Sequence, residues 1–118
     1  MAEGFRAEVR RAGDHAVIDM SGNVDRGAEP TLSETYARAA ADGAPVLLNF
    51  ADVDYINSTG IAVIVGLLAQ ARKEGRSLTA CGLTEHYRQI FQITRLSDFM
   101  PIYDDEQAAL GAQEATGS

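Results

Sequence analysis

Tryptophan is absent from this chain of 118 residues, and cysteine and lysine occur once each, as Cys81 and Lys73. A lone cysteine cannot pair within the chain, so a disulfide scaffold is excluded, and no Cys or His spacing suits zinc. Basic residues are few: 10 Lys+Arg stand against 17 Asp+Glu, a net charge of −7 with pI ≈ 4.6. Without a basic cluster the chain lacks the footprint that drives phosphate-backbone binding, and no direct nucleic-acid partner is expected. Long hydrophobic runs are missing too. The longest stretch without a polar side chain is Ile61 to Ala69, far short of the roughly 20 residues a bilayer-spanning helix needs, so no membrane insertion is expected. The first twenty residues carry acidic groups and no apolar leader core, and the expected location is the cytoplasm.

Catalytic patterns are equally scarce. There is no Gly-x-Gly-x-x-Gly, no Walker-type loop, and the two histidines, His15 and His86, lie far apart. Neither an enzyme nor a bound cofactor is expected. Cys81 ends a predicted strand and reads as a small buried hydrophobe, not a nucleophile, while His86 falls in an exposed first helical turn. Asp52 and Asp54 offer two carboxylates where calcium takes six or more oxygens, so they read as a solvated acidic loop and not as a metal site.

What is present is an ordinary globular composition, 46% hydrophobic and 23% charged, enough for one core. Val9–Arg11 and Ala16–Met20 predict a β-hairpin with a three- or four-residue turn at Ala12-Gly13-Asp14, and residues 21–27 read as a loop. Leu32, Tyr36, Ala39 and Ala40 recur at helical spacing behind Pro30, and Asp42-Gly43 stops that helix. Val46–Phe50 is a continuous apolar run of strand length, with Ala51–Asn57 as a connection. The apolar run from Ile61 fits strand or helix by periodicity alone. Ser58 as N-cap, the cations Arg72 and Lys73 and the stopping Gly75 decide for a helix over Thr59–Glu74, with Ile61, Ile64, Val65 and Leu68 on its buried side. Ser77–Cys81 follows as a strand. Thr84 caps a helix with Tyr87, Ile90, Phe91 and Thr94 on one face, Met100–Tyr103 is a last strand, and Asp104 with Gln107 opens a short helix through Leu110. Residues 111–118 read as a disordered tail. The order implies an α/β domain: a mixed, mostly parallel sheet with an N-terminal hairpin and about four packed helices.

One segment stands out. Asp54-Tyr55-Ile56-Asn57-Ser58-Thr59-Gly60 feeds hydroxyls into the start of the most apolar helix, where unpaired amides and the positive dipole end favour an oxygen acceptor or a phosphate. Simple capping explains that pattern as well as regulation does.

Leu47-Leu48-Asn49-Phe50, then Val53 and Tyr55-Ile56-Asn57-Ser58-Thr59-Gly60-Ile61, resemble the core of the bacterial anti-sigma factor antagonists, which are STAS-domain proteins. The resemblance extends through Ser21-Gly22-Asn23-Val24-Asp25, Leu78–Cys81, Ile90–Leu96 and Phe99–Ile102, nearly the whole chain, with the domain expected over residues 1–110. It implies a STAS-like fold and a partner-switching function. Unphosphorylated, such a protein binds an anti-sigma factor that is a serine kinase and thereby frees a sigma factor; phosphorylated on a serine, it lets go. A phosphatase would complete the cycle.

The serine that matches is Ser58; Asp25, Asn57, Thr59, Gly60 and the exposed side of the helix that follows match positions of partner contact. Three residues depart from the family pattern: Asn57 where Asp is usual, Ala62 where Gly is common, and Arg95 where Gly usually follows Thr94. The resemblance also leaves open a subunit that does not switch, in a stress-sensing scaffold or a lipid-transport ATPase complex.

Overall fold

The computed structural model describes residues 4–117. Its five-stranded sheet has the order β1-β2-β3-β4-β5, over Phe5–Ala12, His15–Val24, Val46–Ile56, Leu78–Cys81 and Ile102–Tyr103. The first pair is antiparallel and the other three pairs are parallel. Each parallel step is bridged by a helix: α1 (Glu29–Ala40), α2 (Ser58–Lys73) and α3 (Glu85–Ile93), with α4 (Glu106–Gly117) following the last strand. This is the α/β architecture expected, with its N-terminal hairpin and four helices.

Strand alternation divides the apolar residues between two faces. Ala16, Ile18, Val46, Leu48 and Ala80 enter a large core with Leu32 and Tyr36 of α1, Ile64 and Leu68 of α2, and Phe91 of α3. Their neighbours Val17, Leu47 and Cys81 point to the other face, where Ala109 of α4 covers them. On that face the Arg10 guanidinium donates to Asp19 and to Glu106, both at 2.7 Å, and clasps α4 to the sheet. Cys81 is buried as expected, and burial, with Glu106 and Asp105 nearby, pushes its thiol up to about 11.

Several boundaries differ from the sequence reading. The hairpin turn has two residues, because Ala12 pairs with His15; Gly13 at φ +61 supplies the first position of a type II′ turn. Strands β2 and β3 each run well past their expected ends, and the supposed loop 21–27 and the connection 51–57 pair with each other through Ser21↔Asp52 and Val24↔Ile56. Register shifts in that stretch blur the alternation by which a strand is read. Asp52 and Asp54 therefore sit exposed on a strand and not in a loop. Strand β5 is only Ile102–Tyr103. Asp105, not Asp104, caps α4, accepting from the Ala108 amide at 2.8 Å, while Asp104 pairs with Arg88. The helix continues to Gly117 past Leu110; Ser118 lies outside the described residues.

Helix α2 is rotated from its expected setting. Gly60, Ile64, Leu67, Leu68 and Ala71 are buried, whereas Val65 is exposed and Ile61 half-buried. The template of apolar spacing fits two overlapping faces of so apolar a helix, and only the packing against β2 and α1 chooses between them.

Candidate functional site

The start of α2 meets the end of β2 and the 3-10 turn Arg26–Ala28 that follows it. Asn57, not Ser58, is the N-cap. Its backbone is extended, its carboxamide oxygen accepts from the Gly60 amide at 2.8 Å, and its carbonyl accepts from the Ile61 amide at 2.9 Å. The same carboxamide oxygen accepts from the Thr59 hydroxyl at 2.7 Å, and that hydroxyl in turn accepts from the Arg26 amide at 3.0 Å. Asn57 also donates its own amide to the Val24 carbonyl at 3.2 Å. The cap is thus the hub of a network that binds the 3-10 turn to the helix, and an asparagine serves it as well as an aspartate.

Gly60 is required by contact. It is buried against the end of β2, and a Cβ there would overlap the Val24 carbonyl oxygen. Asp25 stands on the other side of the junction, half-buried, and caps the 3-10 turn by accepting from the Gly27 amide at 2.9 Å. Beneath the junction the Tyr87 hydroxyl accepts from the Ile56 amide at 3.0 Å, so α3 holds the last residue of β3 before the cap.

Ser58 is the first residue of α2 and is exposed. Its hydroxyl makes no hydrogen bond among the described residues, in contrast to the doubly engaged hydroxyl of Thr59. The structure brings Asp25, Asn57, Ser58, Thr59 and Gly60 to one junction. Sequence reasoning missed two of its members, the Val24 carbonyl and the Arg26 amide, because main-chain groups leave no mark in the residue pattern. Tyr55, 55% exposed at the end of β3, stands on this end of the sheet. No group of three or more His, Cys, Asp or Glu side chains able to hold a metal occurs among the described residues. No helix among them is long and apolar enough to cross a membrane.

The family model described as "STAS domain" matches residues 6–109. An anti-sigma-B factor antagonist of Bacillus subtilis is 32% identical over 98 residues, covering 83% of this chain and 90% of the relative. One from Listeria monocytogenes is 30% identical over 94 residues, covering 79% and 82%. Among solved structures, an anti-sigma factor antagonist from Mycobacterium paratuberculosis superposes with a TM-score of 0.79 at 20% identity, covering 95% of this chain and 96% of that one. The fold is that of a STAS domain, a non-catalytic regulatory module. Within that class, the chain belongs to the bacterial anti-sigma factor antagonist family.

Proposed function

We propose that this protein antagonises an anti-sigma factor and is switched by phosphorylation of Ser58. Unphosphorylated, it binds an anti-sigma factor that is a serine kinase, and the sigma factor is released. Phosphate on Ser58 ends the complex, and a phosphatase restores it. Asp25, Asn57, Thr59 and Gly60 shape the surface around that serine, Asn57, Thr59 and Gly60 by holding the helix start and Asp25 by holding the adjoining turn.

The observation that carries this reading is the division of labour between two adjacent hydroxyls. Thr59 is consumed by the network, and its modification would dismantle the junction. Ser58 is exposed and structurally idle, so a phosphate changes the surface without breaking a bond of the fold. That phosphate brings about −1.5 to −2 charges to the start of a helix, where the dipole tolerates them and a docked partner does not.

The test is calorimetric titration against the purified kinase. Ser58→Ala should bind as the wild type does and accept no phosphate, while Ser58→Asp and Ser58→Glu should bind at least tenfold more weakly, about 1.4 kcal/mol. Equal affinities for the Ala and Asp variants, or phosphate found only on Thr59, would favour a permanently docked STAS subunit instead.

A further inference from the structure

At the other end of α2 an apolar groove of about 440 Å³ opens between that helix and the turn after α3. Val65, Leu68, Leu96 and Phe99 line it together with Arg72 and Arg95. Four large apolar side chains stand exposed among the described residues. Two of them, Val65 at 44% and Phe99 at 52%, line this groove, and a third, Ile93 at 80%, precedes the groove residue Thr94. Exposed apolar side chains gathered in one place mark a surface kept for a partner.

The groove's charge runs opposite to that of the chain. On a protein of net charge −7, its lining carries two guanidiniums. Arg72 lies over the Phe99 ring, 4.7 Å from the centroid. Arg95 uses only its Nε toward Asp98, at 2.8 Å, and its side chain is 78% exposed.

Arg95 is also the single non-glycine residue with positive φ among the described residues, at +68. It directly follows the C-cap Thr94 of α3, a position where the left-handed backbone is ordinarily given to glycine. The fold therefore prefers glycine there, and an exposed pair with Asp98 repays little of that strain. A strained residue that the fold does not need points to a use for its side chain.

We infer that this groove receives an acidic amphipathic helix of the same anti-sigma factor that covers Ser58. One large apolar side chain of that helix packs on Phe99 and Val65, and its flanking carboxylates meet Arg72 and Arg95. The inference rests on the partner-switch reading and extends its surface. Ser58, Ala62, Val65, Ala69 and Arg72 are all exposed and follow one another at helical spacing, so the face between the serine and the groove has no charge before Arg72. At 1.5 Å per residue those two ends are about 21 Å apart, within the span of one interface burying roughly 800 Å² per partner.

Arg95→Gly separates binding from folding. The variant should melt no lower than the wild type, because glycine relieves the left-handed residue, yet bind the kinase at least tenfold more weakly and with a shallower salt dependence. Phe99→Ala should weaken binding by a similar factor. Wild-type affinity and salt dependence in Arg95→Gly would overturn the inference. A second probe is a 15-residue helical peptide with leucines on one face flanked by glutamates, compared with its lysine-flanked counterpart; about 15 residues give the four turns that span such a groove. Preference for the glutamate peptide, lost in Arg95→Gly, supports the site; equal binding or none overturns it. If the wild-type chain binds no kinase, the partner-switch reading fails, and the peptide pair alone decides the groove.

Discussion

Gly60 of α2 rests against the carbonyl oxygen of Val24 at the end of β2, at a distance that leaves no room for a Cβ. Gly66, six residues along the same helix, is exposed and has nothing within 4 Å of where its Cβ would stand. The two glycines should answer the same substitution with opposite signs. Gly60→Ala is expected to lose about 1–3 kcal/mol, by overpacking against main chain that cannot yield. Gly66→Ala should gain up to about 1 kcal/mol through helix propensity. Chemical denaturation of both variants checks this, and a neutral Gly60→Ala would show that β2 and α2 are less closely joined than described.

The stability of the α2 start rests on the Asn57 cap. Asn57→Ala removes the acceptor for the Gly60 amide and the Thr59 hydroxyl together, and should cost about 1 kcal/mol within the 0.5–2 kcal/mol range of lost N-caps. Asn57→Asp retains the acceptor and adds a charge the helix dipole favours, so its stability should match or exceed that of the wild type. Urea melts distinguish the two. An Ala variant as stable as the Asp variant would show that the Asn57 side chain contributes no capping energy.

Phosphorylation of Ser58 should leave the fold in place. The hydroxyl is unused, the dipole at the helix start is worth about 0.3–1 kcal/mol to an exposed anion, and exposed carboxylates such as Asp52 and Asp54 act through solvent and salt. The melting temperature should barely move, and amide exchange over Ile61–Ala71 should stay slow. Loss of protection there on phosphorylation would mean that the switch melts its own helix.

The clasp of α4 depends on pH. Arg10 holds the carboxyl groups of Asp19 and Glu106 below their ordinary values of 3.8 and 4.5, chiefly through its hydrogen bonds to them. Groups depressed in the folded chain stabilise it above their ordinary range, and that contribution disappears as pH falls through the lowered values. Attachment of α4 should therefore be constant from pH 7 to about 5 and weaken below about 4. Cys81, buried beneath Ala109, reports it. Labelling by a disulfide reagent that reacts at acid pH should accelerate in that lower window, and Glu106→Gln should label faster than wild type already at pH 7. A rate in Glu106→Gln equal to that of the wild type would show that the ion pair does not hold the helix.

Local chemistry was enough for much of this protein. Thr84 before its amphipathic helix, Pro30 in a first turn, Gly43 and Gly75 at helix stops, and the apolar run Val46–Phe50 each carry their structure within a few residues, so the order of elements and the α/β class are legible in the chain. So was the segment Asn57-Ser58-Thr59-Gly60 as the place where a helix offers its N-terminus. Contacts between distant segments decided the rest. The pairing of residues 21–24 with 52–56 turned two apparent loops into strand, because neighbouring main chains supplied hydrogen bonds that residue type does not announce. Packing against β2 and α1 chose which side of α2 is buried and left Val65 in the open. The Arg26 amide on Thr59 and the Val24 carbonyl on Asn57 settled which residue caps the helix and which hydroxyl is spare. Capping preference alone ranks Asn and Ser as near equals, and only the fold, by engaging Asn57 and Thr59, leaves Ser58 free.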